Sequence, residues 1–116
     1  MDNAVLDKSF AFSVRIVNVY KYMTEQKKEY ILSKQLLRCG TSIGANVAEA
    51  QRAQSKPDFI SKMSIALKEA YEVDYWLRLL HTTEYIEANA YKSMRDDNEE
   101  LISLLIAICK TAANNK

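Results

Sequence analysis

An all-α chain, folded as an antiparallel up-down-up-down four-helix bundle, is what three features of these 116 residues predict. Only two glycines and one proline occur, far below the usual ~7% and ~5%. Apolar residues recur at helical spacing through four long segments, and the polar breaks between those segments are short. A many-stranded sheet would need far more turn formers. The length suits one domain spanning residues 1–116 with a single core. No linker, low-complexity segment or internal repeat interrupts it.

The first helix is expected from about Asp2 to Lys27. Leu6, Phe10, Ser13, Val17 and Tyr20 make its inward stripe, widened by Phe12, Ile16 and Met23. The polar "KKE" follows. A second helix is expected over about Tyr30 to Gln54, with Leu32, Leu36, Ile43, Val47 and Ala50 within a narrow arc. In "SKPD", Ser55 is placed to cap a third helix with Asp58 three residues on, and Pro57 suits a first turn. That helix reaches about Leu80 and turns Phe59, Met63, Ala66, Ala70, Val73 and Leu77 inward. After "HTTEYIEAN", the fourth carries Tyr91, Met94, Leu101, Leu105 and Ile108 and frays into "TAANNK".

A net charge of +1 gives no electrostatic reason to expect a particular partner. No apolar run approaches the ~18 residues of a membrane span, and the acidic opening "MDNAVLDKSFAFSVRIV" does not resemble a signal peptide. Cys39 and Cys109 lie in apolar surroundings without CxxC spacing. They read as reduced core thiols, and the expected location is the cytoplasm.

The two glycines, Gly40 and Gly44, stand one turn apart inside the second helix, where each costs about 1 kcal/mol relative to alanine. A phosphate-cradling loop would need GxxxxGK[ST] after a strand, and neither the spacing nor the lysine is present. With Ala48 they instead form a small-residue strip that lets another backbone approach closely.

Lys34, Arg38, Arg52 and Lys56 cluster on the opposite side of the second helix's wheel. Between Tyr30 and Lys56 these four basic residues face one acidic residue, Glu49. That is the footprint of a polyanion contact, RNA or DNA. On a single chain the favoured reading is a solvated face whose charges pair with the acidic third and fourth helices. The third helix is apolar nearly all round, because Ile65, Tyr71, Tyr75, Trp76 and Leu79 lie off its inward arc. The expected partner for that surplus is a second copy of the chain; stacking of nucleic-acid bases on the tyrosines is the alternative.

Catalytic chemistry finds no support. His81 is the only histidine, which excludes a His-based zinc site and a di-iron bundle with two Glu-x-x-His motifs, and Arg78 stands where even one such motif needs its glutamate. Asp74 lies one heptad before His81, but no third group completes a triad, and pairing of Asp74 with Arg78, Arg38 or His81 is expected. Neither catalytic residues nor a cofactor are expected.

The stretch from Leu36 to Leu80 resembles the signature of the bacterial four-helix-bundle proteins named after 23S ribosomal RNA intervening sequences. The pattern Arg-x-x-x-Ser-Ile-x-x-Asn-x-Ala-Glu is met by Arg38, Ser42, Ile43, Asn46, Ala48 and Glu49. Ser55, Asp58 and Phe59 match a Ser-x-x-Asp-Phe element. Ala66, Leu67, Glu69 and Ala70 match Ala-Leu-x-Glu-Ala, and Tyr75, Trp76 and Leu77 follow. The resemblance implies a ring-forming homo-oligomer, typically a pentamer, without enzymatic activity. The chain is also similar to the accessory protein of diversity-generating retroelements, a basic pentameric barrel that binds nucleic acid and a reverse transcriptase. It departs from that relative in being nearly neutral. The function implied is an accessory or scaffolding protein associated with nucleic acid; the alternative is an assembly partner that binds only protein.

Overall fold

The computed structural model describes residues 3–114 of the chain. Four helices follow in order: α1 (Ala4–Glu25), α2 (Leu32–Ala50), α3 (Lys56–Thr82) and α4 (Ala88–Asn114). They pack α1 on α2, α2 on α3 and α3 on α4, with a sparser contact closing α4 onto α1. The result is an antiparallel up-down-up-down bundle 49 × 22 × 21 Å.

Each helix starts and stops for a local reason. Asn3 caps α1 by accepting from the Leu6 amide. Ser55, extended at φ −157°, caps α3 by accepting from the Asp58 amide, while the Asp58 carboxylate reaches back to the Gln54 amide. This exchange needs non-helical backbone before Lys56, which is why α2 ends at Ala50 instead of near Gln54. At the other end, α2 has no cap from its own first residues. Glu29 supplies it from the loop, its carboxylate accepting from the amides of Ile31, Leu32 and Ser33. Burial alone would raise the Glu29 pKa, but those donors outweigh it and lower the value. Helix α4 begins at Ala88, earlier than expected, and stays helical through Asn114. The start expected at Asp2 and the tail's end at Asn115 and Lys116 lie outside the described residues.

The core is one continuous cluster through all four helices, including Phe12, Ile16, Ile43, Leu77, Leu80 and Leu105, each buried. Full burial of side chains of this size contributes about 1.5–3 kcal/mol apiece. The inward face of α2 is as expected, except that Leu32 is half-buried and Cys39 joins it. Phe59 on α3 packs on the core half-buried, as do Tyr91 and Ile108 on α4.

The face of α1 is a correction. Val5, Ser9, Phe12, Ile16 and Met23 line the core, whereas Phe10 is 70% exposed and Val14 and Val17 also face out. Leu6, Ser13 and Tyr20 are half-buried. Both stripes have helical spacing, and only the position of α2 and α4 around α1 chooses between them. One buried polar residue ties α3 to α4: Asn98 donates from Nδ2 to the Ala70 carbonyl at 2.9 Å.

Candidate functional site

The family-motif residues of α2 and α3 meet along one face. Arg38 reaches across to α3 and pairs with Glu69 at 3.3 Å and, more closely, with Glu72. Trp76 Nε1 donates to the same Glu72 carboxylate at 3.0 Å. The Trp76 hydrogen bond, and after it the guanidinium, hold Glu72 below the usual carboxylate range against the opposing effect of burial. The Glu72 hydrogen bond in turn raises the Arg38 pKa. Further along, Lys62 and Glu49 stand 3.8 Å apart. Ser42 Oγ donates to the Arg38 carbonyl and Asn46 Nδ2 to the Ser42 carbonyl, so these two motif side chains bond back onto their own helix.

The basic stripe expected on α2 is not continuous. Lys34 sits in the first turn of α2, Arg52 lies beyond its end, and Lys56 opens α3. A helix the length of α2 spans about 28 Å at 1.5 Å per residue, so Lys34 and Arg52 mark opposite ends of the bundle. Between them, Arg38 is engaged by two carboxylates. The helical period does not carry through the turn at residues 51–55, which breaks the stripe.

The glycine strip is a contact with α1. A β-carbon on Gly40 would fall 2.7 Å from Ile16 side-chain carbons, and one on Gly44 would fall 2.9 Å from Ser13 Oγ and 3.2 Å from the Ser9 carbonyl oxygen. Ala48 is exposed and stands outside this contact.

On α3, Ile65, Tyr71 and Tyr75 are exposed, while Trp76 and Leu79 are half-buried. Trp76 therefore does not project freely as expected. It packs against the core, holds Glu72, and takes the Tyr75 ring edge-on at 5.0 Å. Phe10 and Val17, expected in the core, instead form an exposed apolar stripe on α1 with Val14 between them.

Asp74, half-buried, has no ion pair within 4 Å among the described residues, so the expected pairing is absent. His81 instead bonds through Nδ1 to the Ile86 carbonyl oxygen at 3.0 Å and stacks on Tyr91 at 4.4 Å. Burial, with the Glu72 and Glu69 charges nearby, pushes the Cys39 thiol up to about 12, so it is an inert core group. Cys39 and Cys109 are both free.

A cleft of about 820 Å³ opens where α1 and the α3–α4 connection meet the start of α4. Val19, Ile86 and Met94 contribute apolar walls, and Lys27, Glu84 and Glu87 contribute mixed charge. Arg15, which also lines the cleft, is bound across the seam to Asp97 at 2.6 Å and to Ser93. Among the described residues, no group of three or more histidine, cysteine, aspartate or glutamate side chains is placed to hold a metal ion. No helix among them is long and apolar enough to cross a membrane.

Among the described residues, four antiparallel helices packed around one continuous core define the class as a four-helix bundle. Within that class, the chain belongs to the 23S rRNA-intervening sequence protein family, whose model matches residues 1–107. It is similar to a protein of unknown function from the S23 ribosomal protein family of Bacteroides thetaiotaomicron, known from a crystal structure. The two are 57% identical, the match covers 94% of this chain and 97% of that one, and the TM-score is 0.93. Among curated proteins, none matches this chain.

Proposed function

We propose that this protein is a non-enzymatic helical bundle that assembles with copies of itself and serves as an accessory or scaffolding protein in the cytoplasm. The observation carrying this reading is a pair of unlike apolar stripes on helices diagonal to each other in the bundle. One is Phe10, Val14 and Val17 on α1; the other is Ile65 and Tyr75, with half-buried Trp76 and Leu79, on α3. Two different patches on opposite sides favour a heterologous, head-to-tail contact, which closes into a ring when the rotation allows. The pentamer implied by the family resemblance is the ring size put forward. The two unpaired cysteines suit a reducing compartment.

Light scattering on the purified chain tests the assembly. The expected mass is a multiple of 13.3 kDa, fivefold for the pentamer. Phe10→Glu and Ile65→Glu, on the two separate stripes, should each lower it while helicity is kept. A wild-type monomer at micromolar concentration would remove the proposal.

A further inference from the structure

The cleft beside the α3–α4 connection is lined by side chains that suit one kind of guest. Its volume of about 820 Å³ falls within the roughly 300–1,000 Å³ of small-molecule sites. It exists because α1 and α4 meet only sparsely, so their seam stays open where the chain turns from α3 into α4. Buried Ile86 and Met94, with half-buried Val19, give it an apolar lining. Tyr22 and Tyr85 add aromatic surface, and Tyr22 is 46% exposed.

The charges around this lining are unequally engaged. Arg15 is bound to Asp97 and Ser93. Lys27 holds its ammonium 5.9 Å from the centre of the Tyr22 ring. Glu84 and Glu87 are exposed and have no cationic partner within 4 Å among the described residues. With Arg15 offset by Asp97, two carboxylates stand against one ammonium. Glu84 also sits at φ +69°, a conformation that glycine adopts at lower cost.

We propose that this cleft binds a small organic ammonium ion with an apolar or aromatic body. Val19, Ile86 and Met94 take the body, and the Glu84 and Glu87 carboxylates take the charge. The contact between Lys27 and Tyr22 is an internal example of the same recognition, because the face of an aromatic ring attracts a cation. An anionic guest would meet both free carboxylates, with only Lys27 to oppose them. A protein partner would call for roughly 800 Å² of contact on each side, a broad face instead of a recess. The site is independent of self-assembly: none of Phe10, Val14, Val17 and Ile65 lines the cleft.

The test is a titration of isotope-labelled protein, followed by amide proton–nitrogen correlation spectra at about 50 mM salt, where charges are only partly screened. The probes are 2-phenylethylammonium, neutral 2-phenylethanol and phenylacetate. The ammonium should give saturable shifts at Tyr22, Glu84, Ile86 and Ala88, with Ala53 and Gln54 at the far end unmoved. It should bind roughly threefold or more tighter than the alcohol, and phenylacetate should bind weakest. Glu84→Gln with Glu87→Gln should remove that preference for the ammonium. Asp96→Asn with Glu99→Gln makes the same charge change outside the cleft and should leave binding as in wild type. Lys27→Met frees the Tyr22 ring and should tighten ammonium binding about twofold or more. Spectra of each variant without probe check that the fold is kept. The proposal is overturned by absent or unsaturable shifts, by an alcohol that binds as well as the ammonium, or by equal losses in the two amide variants. Weaker binding by Lys27→Met would likewise overturn it. Shifts with an oligolysine peptide but with no phenylethylammonium binding would assign the cleft to a protein partner instead.

Discussion

Gly40 on α2 and Ile16 on α1 leave no room for a methyl group between them: a β-carbon on Gly40 would lie 2.7–2.8 Å from three carbons of the Ile16 side chain. Ile16 is fully buried and β-branched, so it has few ways to retreat. Gly40→Ala should therefore destabilise by roughly 1–3 kcal/mol, although helix propensity alone would favour alanine by about 1 kcal/mol. At Gly44 the nearest atom is the Ser13 hydroxyl, which can rotate, and the backbone carbonyl of Ser9 needs only a small shift. Gly44→Ala should cost less, and Gly44→Leu should cost as much as Gly40→Ala. Urea denaturation measures all three. A Gly40→Ala midpoint at or above wild type would show that α1 and α2 can move apart freely.

The Glu29 carboxylate is the cap of α2, and its lowered pKa makes that cap depend on pH. Because the folded value lies below the unfolded one, the stabilisation is complete above the ordinary carboxylate range. It is lost as pH falls through the folded value. Glu29→Gln should cost about 0.5–2 kcal/mol at neutral pH, the usual worth of an N-terminal cap. The difference between variant and wild type should then shrink toward pH 3. Thermal unfolding across that range decides it, and a difference that does not change with pH would refute the charge-based cap.

Helix α3 ends in a Schellman motif built on an unfavourable residue. The Tyr85 amide bonds to the Leu80 carbonyl and the Glu84 amide to the His81 carbonyl, and this geometry sets Glu84 at φ +69°. A non-glycine residue in the left-handed region costs roughly 1–2 kcal/mol. Glu84→Gly removes that strain, partly offset by the greater backbone entropy that glycine loses on folding. A net gain of about 0.5–1 kcal/mol is expected in chemical denaturation. Loss of stability would mean that the Glu84 side chain contributes more than its backbone costs.

Much of this protein was readable from residue spacing alone. Helical period, scarce turn formers and the Ser55–Asp58 cap gave the number, order and packing of the helices, because these features act over one or two turns of chain. The close approach at Gly40 and Gly44 was readable for the same reason: glycine inside a helix is a local cost that asks for a non-local gain. The motif around Arg38 marked the α2–α3 face before the partners of Arg38 were known.

Tertiary contact settled the rest. Phe10 and Phe12 are two residues apart on one helix, and which of them is buried depends on where α2 and α4 stand around α1. Arg38 read either as part of a cationic stripe or as a charge paired with acidic neighbours, and the packing of α3 decided between them by bringing Glu69 and Glu72 beside it. Glu29 looked like loop filler, because a carboxylate becomes a cap only once the chain has bent far enough to aim three amides at it.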